Sequence, residues 1–148
     1  MNKGRIVLGG VLAGVILFGG DILVHGMILG ARWQAQMEAG HVLDPGSMGM
    51  VLHILMPLVV GVCMAFLYAL ARPRLGPGPR TAMLVGLVCW ILIYLEWTGN
   101  AFLFQPGGRF IPFMQVVGGL VATQIAAFVA GLLYKEGAPA PASPAKAA

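Results

Sequence analysis

IVLGGVLAGVILFGGDILVHGMIL, residues 6–29, is the stretch whose reading decides the fold. As a helix it exceeds the ~20 apolar residues that cross a bilayer core of ~30 Å. Its apolar residues run on without period-two alternation, which argues for helix over barrel strand. It also lacks the polar face that a helix of a water-soluble bundle needs. Only Asp21 and His25 interrupt it with ionisable side chains. Three further runs share this character, at residues 50–70, 81–104 and 110–134. The fold expected is all-α: a polytopic membrane protein with four transmembrane helices in an antiparallel bundle. The bundle would occupy residues 1–136, followed by a disordered cytoplasmic tail rich in Ala and Pro at 137–148.

Composition agrees. Of 148 residues, 59% are hydrophobic and 9% charged, giving a mean hydropathy of +0.88, far above that of soluble domains. The net charge of +4 forms no continuous basic stripe, so nucleic acid is not an expected partner and the lipid bilayer is. Lys3 and Arg5 precede the first run as they would in a signal peptide. That run is longer than a signal core and contains Asp21, so it reads as a retained membrane helix. Lys3, Arg5, Arg72, Arg74, Arg80, Lys135 and Lys146 flank one side of the spans, against Arg32 and Arg109 on the other. Both termini are therefore expected in the cytoplasm. Trp33, Tyr68 and Tyr134 fall near span ends, where amphipathic rings favour the interface. Between the first two runs, residues 32–38 read as a short interfacial helix, stopped by Gly40 and the Asp44-Pro45-Gly46 turn. The loop at 72–80 is too rich in Pro and Gly to be expected as helix, and residues 105–108 read as a tight external turn.

Antiparallel threading brings the polar side chains to one level. By helix rise, Asp21 and Glu96 lie ~12 Å, and His25 and Asn100 ~6 Å, inside the outer ends of the first and third spans. His53 and Gln115 lie ~5–8 Å inside those of the second and fourth. All six therefore fall in the outer half of the bundle. Ionisable groups in hydrocarbon are costly, which makes this layer the candidate site. Asp21/His25 and Glu96/Asn100 each share a face at i and i+4, and an offset of 75 residues suggests a weak internal repeat. Gly10 and Gly14 share the Asp21/His25 side of the first span. Gln115, Gly118, Gly119, Ala122 and Ala126 make a small-residue face on the fourth, suited to close packing. Gln124 points roughly opposite to Gln115, towards another helix or a second copy of the chain.

Each group also has a plain structural reading. Asp21 and His25 satisfy one another in one such reading; His25, His53 and Asn100 are merely hydrated near the interface in another. Gln115 is interhelical glue, and His41 a solvated loop residue. Glu96, among Tyr94, Leu95 and Trp97, is the acid least easily dismissed this way. Cys63 and Cys89 stand singly in mid-span without a C-x-x-C pair and read as packing. Of nine methionines, Met56 and Met64 share the His53 side and are the ones to consider for soft-metal contact. No phosphate loop, nucleophile motif or metalloprotease signature occurs.

Three functions suit this pattern. The first is a scaffold or accessory subunit, in which the layer sets helix register and contacts to a partner or a second copy. The second is a metal or haem redox protein: His25, His53, Asp21 and Glu96 would suit iron or zinc, and His25 with His53 would suit haem. No specific cofactor is implied. The third is a proton-coupled small-solute transporter, with Glu96 or Asp21 exchanging protons. Small multidrug-resistance transporters share the architecture, being four-helix chains with a carboxylate in the first helix, but no aligned motif carries a residue across. Gly19-Gly20-Asp21-Ile22-Leu23-Val24-His25-Gly26, then Trp33 and Met37-Glu38-Ala39-Gly40, resembles uncharacterised bacterial four-helix inner-membrane proteins. That resemblance implies fold and a bacterial inner-membrane location, and no activity.

Overall fold

The computed structural model describes residues 1–42, 44–104 and 108–136. Asn2 caps α1 (Lys3–Asp21), its side chain accepting the Arg5 N–H at 3.2 Å. The helix then widens into a π-helical segment, Ile22–Ile28, and the chain turns at Leu29 into the short α2 (Gly30–Glu38). α3 (Gly46–Leu75) crosses back. α4 (Pro79–Trp90) passes through a second π-helical segment, Ile91–Leu95, into α5 (Glu96–Phe104). α6 (Phe110–Leu133) returns. Continuous rods make four spans, Lys3–Ile28, Gly46–Leu75, Pro79–Phe104 and Phe110–Leu133, each long and apolar enough to cross a membrane. The protein is all-α, with no strand among the described residues, and has the character of a multi-pass membrane protein.

One boundary departs from expectation. The Pro- and Gly-rich loop expected at 72–80 shrinks to residues 76–78, because α3 runs through Pro73 to Leu75. A proline in a final turn costs one ladder bond without ending the helix. Gly76 and Gly78, at φ +82° and +130°, then reverse the chain, and Pro79 starts α4 where a missing N–H costs nothing. Thr81 fastens the turn, its hydroxyl donating to the Gly76 carbonyl at 2.7 Å. At the opposite, distal end α2 matches the expected short helix and buries none of its residues. Before α3, Asp44 Oδ1 accepts the Gly46 N–H at 2.9 Å. The turn expected at 105–108, apart from Gly108, and the tail at 137–148 lie outside the described residues.

Packing is uneven along the bundle. The first span lies between the second and fourth, and the third packs on the fourth. Towards the end where α1 starts and α6 finishes, Leu17, Met64, Tyr68, Val85, Ala126 and Ala130 belong to one core drawn from all four spans. Towards the distal end the core is Val24, Leu29 and Ile111, backed by Trp33 and Met114, with nothing from the second or third span. Those two spans part there. The contact between the first and second spans is backbone on backbone. A Cβ on Gly61 would overlap main-chain atoms of Gly10 and Gly14, and one on Gly14 would overlap those of Pro57 and Leu58. The small face of the fourth span works likewise: Gly118 receives Val24, Gly119 receives the Tyr94 ring, and Ala126 is fully buried. Gln124 reaches the third span. With its amide oriented to suit both neighbours it donates to the Met83 carbonyl and accepts from the Leu87 N–H, each at 3.1 Å. The outer surface of the spans is largely apolar among the described residues; Leu92, Leu103 and Leu132 are all more than half exposed, as lipid-facing residues are.

Candidate functional site

The site begins where α1 changes its winding. Asp21 is the last residue before the π-helical segment and His25 lies one turn into it; such segments recur at functional positions because they re-aim side chains. His53 comes from α3, one turn before Pro57. His53 Nε2 stands 2.7 Å from Asp21 Oδ2, and His25 Nε2 stands 3.4 Å from Oδ1. One carboxylate thus joins two imidazoles from two spans. Oδ2 is buried and accepts no aligned hydrogen bond from the described residues, so His53 is within ion-pair reach but off its ring N–H axis. Phe18 meets His53 edge-on, with ring centroids 6.2 Å apart. Pro57 adds a backbone effect: having no N–H, it leaves the His53 carbonyl without its helical donor.

His25 is oriented from outside the spans. The Trp33 indole, on α2, donates to His25 Nδ1 at 3.1 Å. Their rings lie within 16° of parallel, with centroids 5.7 Å apart. Indole nitrogen only donates. Nδ1 is therefore the acceptor, and the ring's single proton sits on Nε2, facing Asp21. α2 is in turn held to the start of α6 by the Arg32 guanidinium, 4.1 Å over the Phe110 ring.

Two cavities meet at Asp21. A void of about 10 Å³, the size of one water, lies among Asp21, His25, Tyr94, Gln115 and Gly118. A much larger cleft, about 700 Å³, opens sideways where the second and third spans part. Asp21, His53, Met56, Ile93, Tyr94 and Trp97 are among its walls. Its volume lies in the range of small-molecule sites, and so does its character of an apolar wall with a few polar groups.

The six expected residues do not converge on one site. Asp21, His25 and His53 come together, with Gln115 across the small void. Glu96 and Asn100 do not join them. Both are exposed, and the Asn100 amide donates to the Glu96 carboxylate at 3.1 Å and to the Glu96 carbonyl at 3.0 Å, within their own helix. The π-helical segment Ile91–Leu95 is the cause. A π turn inserts an extra residue, which rotates the helix beyond it by about 100°. Asp21 precedes its π segment and faces inward; Glu96 comes after one and faces out. In place of Glu96 the third span contributes Tyr94, half-buried and bordering both cavities. Its signal in the sequence is a phenol inside an apolar run, where it reads only as bulk beside Glu96. His41 contacts Gln36 Oε1 at 3.0 Å on the distal surface. Met56 lines the cleft and Met64 is buried in the main core. Cys63 is exposed and Cys89 buried. Among the described residues no three His, Cys, Asp or Glu side chains converge as a metal would require; both imidazoles address the carboxylate instead.

The chain matches no family model, no curated protein and no solved structure.

Proposed function

We propose that this protein binds a lipophilic organic cation, or a basic apolar molecule in its charged form, in the lateral cleft, and exchanges it for a proton at the Asp21–His53 pair. One observation carries the reading: a buried carboxylate oxygen without an aligned donor among the described residues, at the wall of an apolar cleft of about 700 Å³ that also presents Tyr94 and Trp97. A carboxylate with aromatic faces is the chemistry that recognises an organic cation in a dry site. His53 is the internal competitor. Cation bound, the imidazolium gives up its proton; cation released, the proton returns, and the site's net charge is unchanged. Holding an ionisable group in a membrane interior is costly, which favours a working role. The bias of Lys and Arg to the terminal end supports cytoplasmic termini, and with them a cleft in the outer half of the membrane.

Calorimetric titration of tetraphenylphosphonium into purified protein, in buffers of different ionisation enthalpy, tests this. Binding should release a proton and tighten as pH rises. Asp21→Asn should abolish it, and Glu96→Gln should leave it intact. Unchanged binding in Asp21→Asn would reject the reading.

A second reading is an accessory subunit whose partner lays a transmembrane helix in the cleft. It is favoured by the sideways opening and by the exposed apolar residues Leu52, Leu55, Met56 and Val59 along that edge of α3. A photocrosslinker on a cysteine at Met56 separates the two. A polypeptide adduct in native membranes supports the subunit; an adduct with the added cation alone supports the binding protein.

A further inference from the structure

At the opposite end of the bundle, where α1 starts and α6 finishes, lies another cavity of about 170 Å³. Tyr68, Arg72, Gly78, Phe128, Leu132 and Tyr134 are among its walls. Two polar atoms of these residues are buried without a hydrogen-bond partner among the described residues: Arg72 Nη1 and the Tyr134 hydroxyl. Tyr134 is only 4% exposed. Ring contacts bring the two groups together. The Arg72 guanidinium lies 5.5 Å over the Tyr134 ring, and Tyr68 meets that ring edge-on with centroids 6.0 Å apart. The Tyr68 hydroxyl is engaged, accepting the Gly78 N–H at 3.1 Å.

No described residue supplies these two donors with an acceptor. A buried donor left unmade is costly, and the oxygen that suits a guanidinium N–H beside a phenol belongs to an anion, phosphate above all. Charge at this end agrees: Lys3, Arg5, Arg72, Arg74, Arg80 and Lys135 face a single described carboxylate, Glu136. We propose that the Arg72–Tyr134 cavity binds a phosphate group. The volume is ample for a phosphate group. Phe128 and Leu132, 40% and 61% exposed, continue the wall onto the apolar outer surface. A phosphate seated here would therefore have a path for acyl chains along the fourth span, which selects the headgroup of an anionic phospholipid over free phosphate. Both donor atoms are covered in this conformation, so seating a phosphate requires the Arg72 and Tyr134 side chains to shift.

Thermal unfolding of the detergent-purified protein tests the site, with phosphatidylglycerol, phosphatidylcholine or inorganic phosphate added. Phosphatidylglycerol should raise Tm, and phosphatidylcholine should not. Arg72→Gln should weaken the phosphatidylglycerol midpoint about tenfold or more. Tyr134→Phe, which keeps the ring and the fold, should weaken it severalfold, while Arg74→Gln should change it little. Stabilisation by inorganic phosphate with the same dependence on Arg72 and Tyr134 would uphold the anion site and move its source to solution. Equal response to both lipids, an unchanged midpoint in Arg72→Gln and Tyr134→Phe, or an equal loss in Arg74→Gln would overturn the proposal.

Discussion

Asp21 shows how one residue's surroundings settle its meaning. In an apolar run it is an anomaly; beside His25 and His53 it becomes the hub of a proton-bearing cluster that spans two helices. The cluster's hydrogen-bond order makes a prediction. Because Trp33 donates to Nδ1, His25 should be the Nε2–H tautomer, visible in nitrogen-15 NMR spectra. Trp33→Phe removes a bond worth about 0.5–1.5 kcal/mol and should yield a tautomer mixture. An Nδ1–H tautomer in the wild type would reject the assignment. His25 and Asp21 were legible as a pair because an i, i+4 spacing shares a face whether the turn is α or slightly wider. Glu96 and Asn100 were legible as a pair too, and they do contact each other. Their direction was not, since no feature of residues 91–95 announces a π turn.

At the level of elements, the closest approach is between the first and second spans, where Gly10, Gly14 and Gly61 put backbone against backbone. Gly61→Ala should destabilise the protein by about 1–3 kcal/mol, as forced overpacking does. Gly19→Ala, whose Cβ would meet nothing within 4 Å, should fall within roughly 0.5 kcal/mol of wild type. Denaturant unfolding in mixed micelles compares them; equal effects would mean the glycines are not packing contacts. Gly10 and Gly14 could be placed on the packing side from spacing alone, whereas Gly61 gained its meaning only from the helix opposite. Pro57 is the other element-scale device. Pro57→Ala restores a donor to the His53 carbonyl, so hydrogen exchange in the second span should slow and cation binding at the cleft should weaken. Unaltered exchange around His53 would show that the proline does not loosen this turn.

For the whole molecule, the main division is between a core closed near the start of α1 and a cleft at the distal end. Four spans in lipid also bear on chemistry at the two thiols, one exposed on the outer face and one buried. In intact membranes both Cys63 and Cys89 should resist a charged maleimide; after gentle solubilisation Cys63 alone should react. Labelling of Cys63 in sealed membranes would mean that the second span does not face lipid. The number of spans, their approximate limits and the small-residue packing faces all came from sequence, because hydrocarbon demands some twenty apolar residues per crossing and helix periodicity assigns faces within a straight segment. Tertiary structure alone decided that Tyr94 replaces Glu96 at the site, that the second and third spans separate, and that Arg72 meets Tyr134 with no described acceptor between them. Each of those depends on a change of helical phase or on contacts between distant segments, and neither is written in the local pattern of residues.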